Sequence, residues 1–375
     1  MIYFDNSSTS FPKAPGIQKA LDEYINNYPF NISRGNYRAS YTLEEKVYNV
    51  REGIKAFFNA PETSNVVFTS GVTAALNTFI RGFHKQGDHV LVSPMEHNAV
   101  MRPLEAMRKD GTITYTVIDK DDIFTGNIKK YIKPNTTSLI VNHASNVTGD
   151  VIDINALGIE AKRCGLAFAV YSAQSAGEIN IDARNIDFLA FTAHKGLLSL
   201  QGVGGAVISK GVETRIKPLV FGGTGSRSSS FEMPDFLPDK FEAGTGNIPG
   251  IIALGEGINY INTVTLDRIH AHKIALRDEF IKGVSELDNF EVVSLQNNDF
   301  VGVVSLVHKS KDLAEISNSL DRDFNICTRV GLHCAPLLHM ALGTFEKGGT
   351  LRFSFSYFNT SSEVKECILA LKTLA

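Results

Sequence analysis

Lys195 lies in a pattern that suits covalent chemistry with a carbonyl compound. Residues 188–192 are a short, largely apolar run that predicts a buried strand, and Ala-His-Lys-Gly follows it. Ligand sites in α/β sheets lie beyond the carboxyl ends of the strands, which is where this pattern places Lys195. Partly apolar surroundings lower the pKa of a lysine, so that its free amine can form a Schiff base. The alternative is a solvated loop lysine.

Several polar residues end separate predicted strands on what would be one edge of the sheet: His97, Asn146, Tyr171, Gln174 and His194. A single residue of this kind is ordinarily a hydrogen-bonded loop or core group. Their convergence from different strands predicts a ligand site.

Residues 69–73 (Thr-Ser-Gly-Val-Thr) join a predicted strand to a predicted helix. Backbone N–H groups at the start of a helix, together with the Thr73 hydroxyl, suit a phosphate. An ordinary helix cap by Ser70 or Thr73 is the alternative. The run lacks the glycine and lysine pattern of nucleotide-binding loops.

Arg352 and Cys334 are two further candidates. Arg352 lies inside the apolar run Leu-Arg-Phe-Ser-Phe, where a charge needs a partner, either a substrate carboxylate or an internal acid. Cys334 follows His333 in a loop flanked by glycine and proline, which could hold a reactive thiol or a buried packing residue. The other three cysteines, Cys164, Cys327 and Cys367, lie in helix or strand patterns typical of packing.

The elements that must position these residues alternate between strands and helices from residue 65 to residue 208. This alternation predicts an α/β fold with a mostly parallel sheet between helices. Residues 222–250 are rich in glycine, serine and proline, and we predict long loops there. A long helical pattern after residue 263 begins a smaller α+β unit.

Composition limits the partners of the chain. The 375 residues carry a net charge of −3 and are 43% hydrophobic, without a membrane-length apolar run. We therefore expect neither nucleic acid nor a membrane as a partner. The N-terminus lacks a secretory pattern, and four scattered cysteines form no disulfide framework or metal cluster, so we expect a cytoplasmic protein without a bound metal.

The chain resembles the cysteine desulfurase and selenocysteine lyase branch of the class V aminotransferases. The resemblance covers nearly the whole chain and rests on an ordered set of motifs: Thr-Ser-Gly-x-Thr, Glu-His-Asn, His-Ala-Ser-Asn-Val-Thr-Gly, Ala-Gln-Ser-Ala-Gly, Ala-His-Lys-Gly-Leu-Leu, Phe-Glu-Ala-Gly-Thr, Gly-Leu-His-Cys-Ala-Pro and Leu-Arg-Phe-Ser. It implies fold type I of the pyridoxal 5′-phosphate (PLP) enzymes, with a seven-stranded sheet in the large domain. The Cys334 loop resembles that of the short-loop group. We assign residues 1–14 to an N-terminal segment packing with the small domain, 15–257 to the large domain and 258–375 to the small domain.

The resemblance also implies roles for matching positions. Lys195 would bind the cofactor covalently, His97 would stack on its ring, and Cys334 would receive sulfur as a persulfide. The implied cofactor-binding residues are Thr73, His97, Asn146, Tyr171, Gln174, Thr192, His194, Lys195 and, from a second subunit, Thr245. The assigned substrate-binding residues are Arg352, which would hold the substrate carboxylate, Asn6 and Arg34. A homodimer with shared sites and a sulfur-acceptor protein are the implied partners.

Tyr171 departs from the pattern of the family, which has an aspartate facing the pyridine nitrogen at this strand end. A carboxylate keeps that nitrogen protonated and the ring a strong electron sink, whereas a phenol is neutral near pH 7. Three explanations remain: an altered natural enzyme, a weakened or retired one, or an introduced substitution.

The sequence therefore predicts a PLP-dependent cysteine desulfurase that converts L-cysteine to L-alanine, with an activity that Tyr171 weakens. Three alternatives on the same fold are a selenocysteine lyase, another C–S lyase and an aminotransferase. An alternative of another class is a catalytically impaired binding or assembly subunit, which Tyr171 keeps open. The sequence leaves the sulfur acceptor and the preference between sulfur and selenium undecided.

Overall fold

The computed structural model of the chain describes residues 1–32, 35–295 and 299–375. Among these residues the strands are β1 (Ile2–Tyr3), β2 (Val66–Thr69), β3 (Asp88–Val92), β4 (Ile113–Val117), β5 (Thr136–Asn142), β6 (Ala167–Tyr171), β7 (Phe188–Thr192), β8 (Gly204–Ile208), β9 (Phe290–Val293), β10 (Val303–His308), β11 (Ile326–Cys327), β12 (Arg329–Gly331) and β13 (Thr350–Ser354). The α-helices are α1 (Ile17–Asn27), α2 (Arg38–Phe57), α3 (Val72–Phe83), α4 (Asn98–Lys109), α5 (Lys120–Thr125), α6 (Ile154–Arg163), α7 (Ile248–Val264), α8 (Leu266–Val284), α9 (Leu313–Phe324), α10 (Pro336–Ala341) and α11 (Ser361–Leu374).

A seven-stranded sheet with the order β2-β8-β7-β6-β5-β3-β4 forms the centre of the larger unit. The pairs from β7 to β4 are all parallel, and β8 runs antiparallel to both of its neighbours. The predicted α/β class with a mostly parallel seven-stranded sheet is therefore confirmed. The carboxyl ends of β3, β5, β6 and β7 lie on one edge, which is the edge that a ligand site needs.

The strand β7 shows why this sheet is covered on both faces. Its side chains alternate between two apolar cores, with Leu189 and Phe191 in one and Phe188 and Ala190 in the other. Helices α2, α6 and α7 contribute to the first core, and α3 and α4 contribute to the second. Because both faces are buried, the strand is a continuous apolar run rather than an alternating one.

A four-stranded antiparallel sheet with the order β12-β13-β10-β9 forms the smaller α+β unit. Its core includes residues of α8, α9 and α11. The N-terminal segment joins this unit, because β1 pairs in parallel with β11 and Asp5 bridges to Ser354 at the end of β13. The predicted boundary at 257/258 falls inside α7, and the division into domains stays a prediction.

The helical pattern predicted after residue 263 corresponds to α8, which is separate from the preceding helix α7. Thr265, with a φ of 78°, separates α7 from α8, and its hydroxyl accepts a hydrogen bond from the Arg268 N–H at 3.4 Å. A threonine with positive φ is uncommon, and here it marks the break between the two helices. The predicted loop region ends at Asn247, which caps α7.

The described helices include none that is long and apolar enough to span a membrane. Within the same residues, no group of three or more His, Cys, Asp or Glu side chains is arranged to hold a metal ion.

Candidate active site

Lys195 follows the end of β7 and is half-buried. Burial, together with the smaller effects of the Arg352 and Arg329 charges, lowers the pKa of this lysine from 10.5 to about 7. A large fraction of the amine is therefore unprotonated at neutral pH, which is the form that attacks a carbonyl. The environment thus has the electrostatics that the sequence pattern predicted for a covalent lysine.

His97 and Tyr171 meet above the ends of β3 and β6, with ring centroids 5.6 Å apart and a 37° angle between the planes. The Nδ1 atom of His97 accepts a hydrogen bond from the Ala99 N–H at 3.0 Å, so this histidine also caps α4. Burial lowers the pKa of His97 to about 3, and the charge of Lys195 adds to the effect. The imidazole ring is therefore uncharged at neutral pH, and its hydrogen bond fixes its orientation.

Tyr171 is buried, and its hydroxyl has no hydrogen-bond partner among the described residues. Burial raises the pKa of Tyr171, and the nearby Glu96 raises it further. Glu96 is itself buried; its Oε1 accepts from the Ser93 hydroxyl at 2.5 Å and from the Asn142 N–H at 2.7 Å, while Oε2 has no partner. Burial raises the pKa of Glu96 to about 8, so both groups are neutral at pH 7.

The start of α3 and the end of β7 form a candidate anion site. Helix α3 has no side-chain cap, so N–H groups of its first turn remain available. The start of α3 lies close to the end of β7, because a Cβ built on Gly71 would be 3.9 Å from the Thr192 Oγ1. The Nδ1 atom of His194 is buried without a partner, and Thr73 exposes its side chain at the same helix start.

Gln174 and Asn146 are buried, and each is bonded to another part of the chain. Gln174 Nε2 donates to the Ser7 carbonyl at 3.0 Å, and Gln174 lines the same small cavity as Lys195. Asn146 Nδ2 donates to the His333 carbonyl at 2.7 Å, whereas its Oδ1 is buried without a partner. Asn146 therefore connects the strand-end site to the Cys334 loop.

Arg352 is almost fully buried in β13 and already has an acidic partner. Its Nη2 donates to Asp5 Oδ1 at 2.8 Å and to the Ser8 hydroxyl at 3.0 Å, and its Nη1 donates to the Asn146 carbonyl at 3.0 Å. The Nε atom is buried without a partner. The internal salt bridge that the sequence left open is therefore present, and part of the guanidinium remains available.

Cys334 is half-buried on a loop with an unusual backbone. His333 and Cys334 have φ values of 47° and 58°, in the left-handed region that side chains other than glycine rarely adopt. The Asn98 N–H donates to the Cys334 carbonyl at 2.7 Å and holds the loop against α4. The Cys334 sulfur lies within electrostatic range of Lys195, Tyr171 and Arg352, so the thiol is beside the strand-end residues.

For three predicted site residues, the described part of the chain shows no contact that supports the predicted role. The amide of Asn6 is fully engaged within the protein, through bonds to the Tyr3 and Ser354 carbonyls and from the Phe11 N–H, so it holds the N-terminal segment in place. Thr245 is exposed in the loop before α7. Arg34 lies outside the described residues. The roles predicted for these residues stay predictions.

Sequence reasoning missed four residues that the fold brings to the site: Asp5, Ser8, Glu96 and Arg329. Arg329 is directly opposite Arg352 in the β12–β13 pair, and its charge lowers the pKa of both Lys195 and His97. The sequence feature that could have pointed to Arg329 is its position five residues before Cys334. Asp5 and Ser8 had no such signal, because their contacts span more than 300 residues.

These observations fit the cofactor that the resemblance implies. A carbonyl cofactor with a phosphate needs an unprotonated lysine, free N–H groups and uncommitted polar atoms in one place. The lowered pKa of Lys195, the uncapped start of α3 and the unpartnered atoms of His194 and Asn146 supply these features. The chemistry of the residues therefore suits PLP.

Comparisons with known proteins give one consistent answer. The sequence model of the family described as "Aminotransferase class-V" matches residues 2–367. A "Probable cysteine desulfurase" of Methanothermobacter thermautotrophicus is 34% identical over 97% of this chain and 92% of its own. One with the same description from Pyrococcus abyssi is 32% identical over 100% and 94%. The solved apo structure of a cysteine desulfurase from Thermococcus onnurineus NA1 superposes with a TM-score of 0.92, at 30% identity, over 100% of this chain and 94% of that one.

Proposed function

The chain belongs to the class-V aminotransferase family, and on that premise we propose that it is a PLP-dependent cysteine desulfurase, which takes sulfur from L-cysteine and leaves L-alanine. The observation that supports this proposal is that Lys195, Arg352 and Cys334 lie within electrostatic range of one another. An amine, a carboxylate binder and a thiol are the three groups that desulfuration of an amino acid requires.

The residues that would hold PLP are those already described at the strand ends. Lys195 would bind its aldehyde, and His97 would cover its ring. Thr73, Thr192 and His194 would hold its phosphate, Asn146 and Gln174 its ring substituents, and Tyr171 would lie beside the ring. When bound, PLP supplies an electron sink for bonds broken at the substrate α-carbon.

Cys334 would carry out the sulfur transfer. Its thiolate forms an S–S bond with the substrate sulfur, the Cβ–S bond breaks, and the electron pair stays with carbon, which takes up a proton. L-cysteine and the thiol thus become L-alanine and a Cys334 persulfide, without an external oxidant or reductant. Lys195 Nζ, with a pKa of about 7, can accept and donate a proton at neutral pH.

The Cys334→Ala variant tests this proposal, with Cys327→Ala as the matched control because Cys327 is also half-buried and lies outside the site in β11. Wild type and Cys327→Ala should release equal amounts of alanine and, with a thiol reductant, sulfide from L-cysteine. Cys334→Ala should release neither. Pyruvate, ammonia and sulfide released at an unchanged rate by Cys334→Ala would instead favour another C–S lyase. A keto acid that retains the sulfur would favour an aminotransferase.

A parallel assay with L-selenocysteine addresses the remaining enzymatic alternative. A selenocysteine lyase would favour the selenium substrate and retain that activity in Cys334→Ala, because direct elimination of selenium needs no persulfide. A desulfurase loses its activity with L-cysteine in the same variant.

A catalytically impaired assembly subunit is the second candidate, and the observation that favours it is Tyr171. Its hydroxyl is neutral and lies beside the neutral Glu96, so the described residues supply no ionised carboxylate there. Wild-type protein that binds PLP but produces no alanine from L-cysteine would select this candidate.

The proposal also covers assembly, partners and location. A homodimer is supported by the exposed loop residues Val220, Phe221 and Phe231 and by the exposed Thr245, which in a dimer would belong to the partner's site. A sulfur-acceptor protein would discharge Cys334. The four free cysteines are consistent with a reducing cytoplasm, where we place the protein.

A further inference from the structure

Arg329 and Arg352 form an arginine pair that places two like charges side by side. They are direct cross-strand neighbours in the antiparallel β12–β13 pair, and like charges in that position repel. The side chain of Arg352 is only 2% exposed, so solvent screens its charge poorly. Such an arrangement needs negative charge or hydrogen-bond acceptors to hold it.

Ser8 connects the two guanidinium groups. Its hydroxyl oxygen accepts from Arg329 Nη1 at 2.8 Å and from Arg352 Nη2 at 3.0 Å, and the hydroxyl donates to Asp5 Oδ1 at 2.7 Å. A serine hydroxyl has two acceptor sites and one donor, so its full capacity is used. Ser8 is thus a bridge between both arginines and the acid that partly compensates them.

The charge balance of this group leaves room for one anion. Two guanidiniums face one carboxylate, Asp5, so the group carries one uncompensated positive charge. The buried Arg352 Nε has no partner, and the charges of both arginines act on Lys195. A ligand that places a carboxylate at the arginine pair and an amine at Lys195 is an α-amino acid.

Residues 8–10 also fix this group relative to the lysine. The Ser10 N–H donates to the His194 carbonyl at 2.8 Å, and the Thr9 hydroxyl donates to the same oxygen at 3.1 Å. Ser8 therefore lies on a short segment bonded to the residue immediately before Lys195. This connection sets the separation between the amine site and the carboxylate site.

We propose that Ser8 is a positioning residue that holds Arg329 and Arg352 together as a paired site for the substrate carboxylate, and so restricts the enzyme to amines that carry an α-carboxylate. This inference rests on the proposed function for the identity of the substrate. Without the hydroxyl, the exposed Arg329 side chain loses its bond to the N-terminal segment and turns toward solvent. The site then keeps Arg352 alone, opposed by Asp5.

Binding of two ligands to PLP-loaded protein tests this proposal. L-alanine and ethylamine differ by one carboxylate, and their dissociation constants can be measured by calorimetry or by the change in cofactor absorption. In Ser8→Ala the dissociation constant for L-alanine should rise about tenfold, as expected for loss of a hydrogen bond to a charged group, whereas that for ethylamine stays unchanged. Ser8→Thr, which keeps the hydroxyl, should restore L-alanine binding.

Ser7→Ala is the matched control, because the Ser7 hydroxyl makes no hydrogen bond among the described residues and the substitution keeps its backbone bonds. It should bind both ligands like the wild type. An unchanged dissociation constant for L-alanine in Ser8→Ala, or an equal rise for both ligands, overturns the proposal. Neither result depends on catalysis: a wild type that binds L-alanine but does not desulfurate L-cysteine contradicts the proposed function and leaves the role of Ser8 intact.

Discussion

The candidate site has two halves, one made of groups that burial makes neutral and one made of charged groups. The lysine half (Lys195, His97, His194 and Tyr171) consists of titratable groups that burial moves toward their neutral forms. The arginine half (Arg329, Arg352, Asp5 and Ser8) contains two guanidinium groups and one carboxylate, joined by hydrogen bonds through Ser8. The difference indicates a division of work, in which the neutral half performs bond chemistry and the charged half orients the ligand.

Removing Lys195 should have the largest effect, because the lysine half has no substitute for its amine. Lys195→Ala should lower alanine production by about a thousandfold or more and abolish the visible absorption of the PLP-loaded protein. Lys210→Ala, at an exposed lysine, is the control and should behave like the wild type. A retained absorption band that borohydride fixes to Lys195→Ala would contradict the assignment.

Removing Arg352 should weaken substrate binding more than catalysis. Arg352→Ala leaves Asp5 to face Arg329, so the net charge of the arginine half falls to zero, and we expect a rise of about 100-fold in KM for L-cysteine with a smaller change in kcat. Arg352→Lys should recover little, because lysine lacks the planar fork. Arg322→Ala, at an exposed arginine of α9, serves as the control. An unchanged KM would place the carboxylate elsewhere.

The lysine half should also respond to pH in a characteristic way. With a pKa of about 7, Lys195 is protonated at pH 6 and mostly free at pH 8, so the rate of PLP uptake by cofactor-free protein should rise about tenfold across this interval. The pKa values of His97 and His194 are lowered to about 3 and about 4, so neither histidine should add an inflection near 6.5. A midpoint near 10 would mean that Lys195 is not desolvated.

Replacing Tyr171 should give the smallest effect, and a gain rather than a loss. Tyr171→Asp should raise sulfide release from L-cysteine by roughly threefold, because a carboxylate would strengthen the electron sink of the cofactor. The gain should be modest, since burial beside Glu96 keeps a new carboxyl partly protonated. Tyr171→Phe, which only removes the hydroxyl, should show no gain. Equal rates in wild type and Tyr171→Asp would refute this explanation of the departure.

The lysine half was largely predictable from the sequence, and the arginine half was not. Residues such as His97, Tyr171 and Lys195 each follow an apolar run, and parallel strands bring their ends to one edge, so local pattern was sufficient. Ser8 and Asp5 reach Arg352 across more than 300 residues, through a parallel pair of two-residue strands that no periodicity reveals.

Arg352 shows how much of the site the sequence pattern alone could predict. The sequence indicated that a charge in an apolar strand needs a partner, but left the choice between a ligand and an internal acid open. The fold supplies Asp5 and also leaves Nε unpartnered, so the internal acid is present, and a ligand at the remaining atom stays a prediction. Such a division depends on side-chain geometry, which composition and spacing do not contain.

Under the proposed function, the loop that carries Cys334 would limit how sulfur leaves the protein. Two consecutive left-handed residues, fixed by Asn98 and Asn146, give the thiol little freedom to swing outward. If Cys334 carries the persulfide as proposed, the sulfur would stay at a fixed depth, and a recipient would have to bring its own nucleophile to that depth. The rate of sulfur transfer to small-molecule thiols should fall as the thiols become bulkier. A recipient cysteine on a flat protein surface should accept no sulfur unless it projects on an extended loop.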